Sequence, residues 1–277
     1  MSLFCCPLCA APLTREERRY RCPAGHSFDR SAGGDTYLLP PIRKHAKMPG
    51  DDRDMVAARA AFLDKGYYLP LRAALEELAR RQLAARQDIA YLDSGCGEGW
   101  YTQGICRTLR EAGHEIAVAG VDISKFAVRR AAKRVPEGEF AVASVYRLPL
   151  ADGSLDLLTN VFSPLSAAEF ARVLRPGGFF FYVVPSARHL WQMKQVLYDR
   201  PYENPVRQED YPGFAHVETA RVRSEITLSD RADRMALFGM TPYAWKTPRE
   251  GVTRLEALDT LTTEIGFDIH VYRRTAE

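Results

Sequence analysis

The most constraining stretch of this chain is Tyr91-Leu92-Asp93-Ser94-Gly95-Cys96-Gly97-Glu98-Gly99-Trp100-Tyr101, where a predicted strand passes through three glycines into a predicted helix. Glycines at such a junction let the backbone turn tightly and approach a ligand with no Cβ in the way. The helix that follows offers unpaired N–H groups at its start. A second predicted strand, residues 116–122, ends at Asp122, 29 positions after Asp93. A carboxylate there can accept both hydroxyls of a ribose, as in nucleotide-binding α/β folds. The spacing exceeds that of the usual dinucleotide fingerprint, and the turn reads Gly-Cys-Gly-Glu-Gly rather than Gly-x-Gly-x-x-Gly.

Around this turn the pattern alternates. Strands are predicted at residues 89–93, 116–122, 140–143, 155–162 and 179–184, with helices at 101–112, 125–135 and 166–173, the last ending at Pro176-Gly177-Gly178. Such alternation indicates βαβ units and a parallel sheet. A strand at 217–228, two helices and a strand at 267–273 complete it. Upstream, two helices are predicted: one from Asp54, read as its N-cap, to Gly66, and one over residues 70–86. The chain thus divides into a small module at 1–40, a linker with helices at 41–88, and an α/β body at 89–277.

The 277 residues carry a net charge of +3. Residues 1–50 hold eight Lys/Arg and four Asp/Glu, so a basic module of +4 precedes a body near −1. That points one end of the molecule toward an anionic partner. The longest apolar run, residues 179–184, is far too short to span a membrane. No basic-then-apolar leader opens the sequence, and a cytoplasmic location is expected.

Four of the six cysteines fall in the first 22 residues. Cys6, Cys9, Cys22 and His26 give the spacing C-x2-C-x12-C-x3-H, which satisfies a tetrahedral zinc with no open position. A closed site of this kind is structural and substitutes for a core that so short a segment cannot build. Cys5 with Cys9 would give C-x3-C; Cys6 is preferred as the ligand. Cys96 and Cys106 are read as packing residues.

The glycine turn with its downstream acid resembles that of the class I S-adenosylmethionine-dependent methyltransferases, whose signature is Asp-x-Gly-x-Gly-x-Gly. The resemblance implies a Rossmann-like, mostly parallel seven-stranded sheet. It places Asp93, Gly95, Gly97 and Glu98 along the methionine and ribose, Asp122 on the ribose, and Val142-Ala143-Ser144 beside the adenine. Ala143-Ser144 supplies no acid where many such enzymes have one.

Further stretches narrow the match: Cys6-Pro-Leu-Cys9 with Cys22-Pro-Ala-Gly-His26, the segment from Met55 to Tyr68, Asp122-Ile-Ser-Lys, Arg147-Leu-Pro, Val173-Leu-Arg-Pro-Gly-Gly, Pro185-Ser-Ala-Arg-His-Leu and Met240-Thr-Pro. Together they resemble the bacterial 23S ribosomal RNA (guanine-N1)-methyltransferases across nearly the full length. That resemblance implies zinc on Cys6, Cys9, Cys22 and His26, and S-adenosylmethionine contacts at Tyr68, Gly97, Glu98 and His189. It also implies 23S rRNA as partner and a homodimer. Two departures stand out: Ser94 replaces a branched apolar residue, and Gly34-Asp-Thr-Tyr-Leu38 differs from Gly-Tyr-Val-Asn-Leu.

The expected reaction is methyl transfer to N1 of a guanine in a 23S rRNA hairpin. Asn160-Val-Phe-Ser-Pro occupies the place where amino-methylating enzymes carry Asn/Asp-Pro-Pro-Tyr/Phe. Asn160 and Phe162 are therefore the catalytic candidates, one for the base edge and one for stacking. Asp152 and Glu98 are weaker candidates for a base. RNA contacts are expected from Arg15, Arg18, Arg19, Arg21, Arg43, Lys44 and Lys47. The run Arg129, Arg130, Lys133 and Arg134 is read as a solvated helix face. Two alternatives compete: a methyltransferase for small molecules that would tolerate deletion of residues 1–40, and a zinc-bearing RNA-binding protein that holds the cofactor without turnover.

Overall fold

The computed structural model describes residues 2–40, 50–205 and 210–276. Two hairpin-like turns open the chain. Strands β1 (Thr14–Arg15), β2 (Arg19–Arg21) and β3 (Ser27–Asp29) form a small antiparallel sheet. Helix α1 (Arg53–Asp64) starts at Asp52, not Asp54: the Asp52 carboxylate accepts N–H bonds from Asp54 and Met55, both at 2.9 Å. With acids at both positions, the cap falls to the one that keeps extended backbone. Helix α2 (Leu69–Gln82) ends four residues before the expected Arg86. Arg86 has a different task, with its guanidinium 3.6 Å from the buried Asp156.

The body then runs β5 (Asp88–Ser94), α3 (Trp100–Glu111), β6 (Glu115–Asp122), α4 (Lys125–Arg134), β7 (Glu139–Val142), β8 (Leu155–Val161), α5 (Ala167–Val173), β9 (Leu174–Pro185), α6 (Trp191–Leu197), β10 (Phe214–Leu228), α7 (Arg231–Gly239), α8 (Arg249–Glu256) and β11 (Leu261–Arg274). In the large sheet the order is β10-β11-β9-β8-β5-β6-β7 followed by β4 (Asp35–Tyr37). Strand β11 runs antiparallel to both neighbours, and the pairs from β9 to β4 are parallel. The seven-stranded Rossmann-like class I methyltransferase sheet is therefore present, with an eighth strand that the sequence reading did not anticipate. Three residues from the N-terminal segment supply it, pairing Asp35 to Tyr37 with Phe140 to Val142. So short a strand carries no periodic signal of its own.

One crossover lacks a helix. Between β7 and β8 the chain makes turns, held by Arg172, whose guanidinium donates to the carbonyls of Leu148 (3.0 Å) and Leu150 (2.8 Å). The N-terminal module covers the sheet face left open. Phe4, Leu13, Tyr20 and Leu38 form one apolar cluster with Ala119, Val121, Ala141, Leu148 and Leu150. Cys5 N–H also donates to the Pro149 carbonyl at 2.7 Å. The opposite face is covered by α2, α3 and α4 through Leu75, Leu78, Ile105, Leu109, Val128 and Ala131.

Because Phe4 is fully buried in the cluster shared with the body, Phe4→Ala is expected to lower the stability of the whole chain by about 3–5 kcal/mol. Urea unfolding followed by intrinsic fluorescence and by far-ultraviolet dichroism should move together; a shift in one probe alone would show the module to be uncoupled.

Candidate functional site

The crevice forms where the chain order along the sheet reverses, between β5 and β8, at the carboxyl ends of the strands, the place where open α/β sheets take ligands. The turn after β5 is locked: Gly95 and Cys96 N–H groups both donate to the Val121 carbonyl, at 2.8 and 3.0 Å. Gly95 sits at φ +82°, and a Cβ there would overlap the side chain of Ser163 from the loop after β8. Gly99, at φ +80°, approaches α4 so closely that a Cβ would lie 3.0 Å from Ala131 Cα. Both positions therefore require glycine, for backbone conformation and for space.

Asp122 accepts N–H bonds from Gly97 (3.0 Å, Oδ2) and Ser124 (2.8 Å, Oδ1). Burial pushes its carboxyl up, and these two N–H groups pull it back. Each oxygen keeps a further lone pair for a ribose hydroxyl. The Asp122 carbonyl takes the Ala143 N–H at 3.1 Å, which sets the 142–144 segment beside it. Ser144 Oγ in turn accepts the Tyr146 N–H at 3.3 Å.

Asp93 plays a different part. Its oxygens accept hydroxyl bonds from Thr102 and, at 3.0 Å, Thr159, whose own hydroxyl meets Tyr91 OH at 2.9 Å. Burial raises its carboxyl to about 6. It braces the turn from beneath and faces no open space. Glu98 is also buried; burial pushes its carboxyl up, with its own backbone N–H and the charges of Arg59 and Arg134 opposing.

On the other wall, Tyr68, His189 and Phe267 meet: the ring centroids of Tyr68 and Phe267 are 4.9 Å apart, and those of His189 and Phe267 4.8 Å. Gly266 N–H donates to His189 Nδ1 at 3.2 Å. Burial, helped by the nearby Lys194 charge, lowers the imidazole to about 3. His189 is thus neutral with its proton on Nε2, a fixed donor. The structure so brings Tyr68, Gly95, Gly97, Glu98, Asp122, Ser144 and His189 to the same carboxyl edge of the sheet.

At the mouth, Asn160 Nδ2 donates to the carbonyls of Ser94 (3.4 Å) and Pro164 (3.1 Å), tying the two strand-end loops together. Phe162 is 47% exposed with φ +55°, a conformation a bulky side chain rarely adopts. Its ring stands 5.6 Å from that of Phe267. Asp152 is elsewhere: it pairs with Arg172 at 2.6 Å in the loop before β8, at the opposite end of that strand from the crevice. So placed, it cannot reach a base bound in the crevice.

Three buried polar atoms here lack a partner among the described residues: Ser94 Oγ, Tyr101 OH and Asn160 Oδ1. Buried polar atoms are rarely left unpaired. Unpaired atoms of this kind at the carboxyl edge are what a polar ligand would satisfy, and Asp122 with the 95–98 turn suits the ribose and amino-acid parts of S-adenosylmethionine. Tyr101, Arg59 and Phe267 are contributors the sequence reading missed; Phe267 looked like one more strand residue, and Arg59 like one more helix surface.

The second centre lies in the N-terminal module. Cys6, Cys9, Cys22 and His26 present ligand atoms all within 4.8 Å of one another. Cys6 Sγ and Cys22 Sγ lie 3.5 and 3.3 Å from His26 Nδ1, and Cys9 Sγ lies 3.7 Å from Cys22 Sγ. These are the edge lengths of a tetrahedron with metal–sulfur bonds near ~2.3 Å and metal–nitrogen bonds near ~2.0 Å. Cys5 is buried and stands outside this ligand group.

The family model described as "RlmA, N-terminal", a zinc ribbon, matches residues 4–47, and "Methyltransferase domain" matches residues 92–182. The chain is 37% identical over 260 residues to a 23S rRNA (guanine(748)-N(1))-methyltransferase of Streptomyces fradiae, covering 91% of this chain and 90% of that protein. It is 36% identical over 279 residues to a relative from Micromonospora griseorubida described as a putative 23S rRNA (guanine-N(1)-)-methyltransferase, covering 91% and 90%. A similarly described protein of Bacillus subtilis is 31% identical over 277 residues, covering 97% and 96%. The chain belongs to the 23S rRNA (guanine-N1)-methyltransferase family. Its cofactors are those of the family members' two domains, S-adenosylmethionine in the crevice and a structural zinc in the ribbon.

Two outcomes follow. Cys9→Ser should lose bound zinc while Cys5→Ser keeps one zinc per chain, measured by elemental analysis of the purified proteins. Because Asp93 has its carboxyl raised from 3.8 to about 6, its stabilising protonated form is present at low pH and lost as pH climbs through 6. The stability of the unmodified chain relative to Asp93→Asn should therefore fall by about 2 kcal/mol between pH 4 and pH 7, read from urea midpoints of both proteins.

Proposed function

We propose that this protein transfers the methyl group of S-adenosylmethionine to N1 of a guanine in a 23S rRNA hairpin. The observation that carries the reading is the joining, in one chain, of a zinc ribbon to an S-adenosylmethionine crevice, matched over nine-tenths of the chain by relatives named for that reaction.

The cofactor supplies a methyl group already activated by its sulfonium. The task left to the protein is to bring N1 into line, help its proton depart, and keep water away. In this reading the ribose lies on Asp122, the amino-acid end over residues 95–98, and Tyr68 and His189 close the apolar wall. His189, neutral and donating through Nε2, holds its role without titrating in the working range. The target base has to leave its stack before N1 is reachable. Phe162, exposed at the mouth, would take the stacking partner's place. The unpaired Asn160 Oδ1 would accept an N–H from the base edge, which carries donors at N1 and N2. Zinc is held by Cys6, Cys9, Cys22 and His26 and takes no part in the chemistry. Arg18, Arg19 and Arg21, exposed on the ribbon, would contact phosphate; Arg15 is half-buried and reaches the Gly138 carbonyl at 3.5 Å. Arg43, Lys44 and Lys47 lie outside the described residues.

The reading extends to action in the cytoplasm, supported by the RNA substrate; no described helix is long and apolar enough to cross a membrane. It extends also to a homodimer, which the 15-residue outer strand β10, paired on one side only among the described residues, supports. Deleting residues 1–40 does not separate this function from small-molecule methylation, because the ribbon covers the sheet face of the body. Substrate choice has to decide. Purified protein, methyl-labelled S-adenosylmethionine and unmodified 23S rRNA should yield label in RNA and one new reverse-transcription stop at a guanine. Label entering small molecules alone would sink the reading. Phe162→Ala should lower kcat/KM for the RNA about 10- to 100-fold, on the scale of one lost base–aromatic stack. Cofactor affinity, measured by calorimetry, should stay within about two-fold.

A further inference from the structure

Helix α4 links the two centres. Its N-cap Ser124 donates its N–H to Asp122, so the helix begins at the ribose end of the crevice. Its middle meets the ribbon's last turn: Arg129 Nε is 3.7 Å from Asp35 Oδ1, and a Cβ on Gly33 or Gly34 would lie 3.4 Å from Arg129 Cγ or 3.8 Å from Ala132 Cβ. Helix α4 therefore runs from the ribose end of the crevice to the ribbon's last turn.

The exposed side of α4 is unusual in its charge. Lys125, Arg129 and Lys133 recur every fourth residue and so form one stripe, about 12 Å long, with neighbours about 6 Å apart along the axis. Arg130 stands beside it, and the helix contains no acid. Like charges four apart weaken a helix. The neighbouring helices differ: Arg72, Arg80, Arg81, Arg107 and Arg110 on α2 and α3 each reach a carboxylate. Lys125, Arg130 and Lys133 reach none among the described residues. The stripe continues onto the ribbon at Arg30, whose guanidinium is held by the carbonyls of Gly34 (3.2 Å) and Glu17 (3.4 Å) and by no acid.

We infer that Lys125, Arg129 and Lys133, continued by Arg30, form a phosphate track that leads one strand of the RNA substrate from the zinc ribbon to the crevice. The inference rests on the rRNA reading given above. Cations spaced along a helix on the scale of successive phosphates suit a sugar–phosphate backbone, and their contribution is electrostatic and independent of sequence. A solvated surface would have gained from interspersed acids of the kind seen on α2.

The test uses the full chain with Lys125, Arg129 and Lys133 all changed to Gln, and a second variant with Arg30→Gln added. Unmodified 23S rRNA is titrated in filter binding at several KCl concentrations. The triple variant should bind at least ten-fold more weakly near 0.1 M salt, and its plot of log affinity against log salt should be shallower by about 2. S-adenosylmethionine affinity should not move, since the three side chains are exposed, and the thermal midpoint should change only by what the 3.7 Å Arg129–Asp35 contact and the relief of like-charge repulsion contribute. Arg30→Gln should flatten the slope further. An unchanged slope and affinity, with normal RNA binding by the unsubstituted protein, overturns the track. If the unsubstituted protein neither binds nor methylates this RNA, the function reading falls first and the track falls with it.

Discussion

The structure depends on how one face of its central sheet is kept from water. Between β7 and β8 there is no helix, so on that face of β6 and β7 the crossover supplies only turn residues such as Val145, Leu148 and Leu150. Phe4, Leu13, Tyr20 and Leu38 fill the gap. A segment so short has no core with which to hold those four residues in place. The metal cluster does that, fixing two turns by four ligand bonds. The zinc thus supports the catalytic sheet at one remove: it shapes the ribbon, the ribbon covers β6 and β7, and β6 carries Asp122.

The crevice sits on the parallel run β6 to β5 to β8 and gathers three acids with different tasks. Asp93 is spent on two threonine hydroxyls under the turn. Asp122 is oriented by two backbone N–H groups and presents its remaining lone pairs outward. Glu98 is enclosed, with arginine charges from α1 and α4 near it. Burial raises all three carboxyls, so a bound positive group is favoured there, and the sulfonium cofactor carries one.

Much of this was legible in the sequence. The glycine turn, the acid at the end of the second strand and the Cys/His spacing are local patterns, set by backbone conformation and ligand geometry. They fell at the sites where the structure has them. Non-local pairings were not legible. Strand β4 exists because Val142 and its neighbours offer an open edge, not because Asp35-Thr36-Tyr37 favours extension. The missing crossover helix is visible only once Phe4 is seen to cover its place. Phe267 and Arg59 are ordinary in sequence and become site residues through packing against His189 and proximity to Glu98. Asp152 shows the converse, an acid near a suggestive motif that belongs to the opposite end of its strand.

The docking of Phe4 against Leu150 also has a consequence for the order of folding. The ribbon is made first, but the surface it must cover is completed only after more than a hundred further residues have been synthesised. At ordinary rates of elongation its apolar side waits uncovered for on the order of ten seconds. Contacts spanning such sequence separations close late and slowly. A growing chain is therefore most exposed to aggregation at its own beginning, and early capture of zinc, which holds the ribbon's turns, would shorten the search once the partner strands emerge.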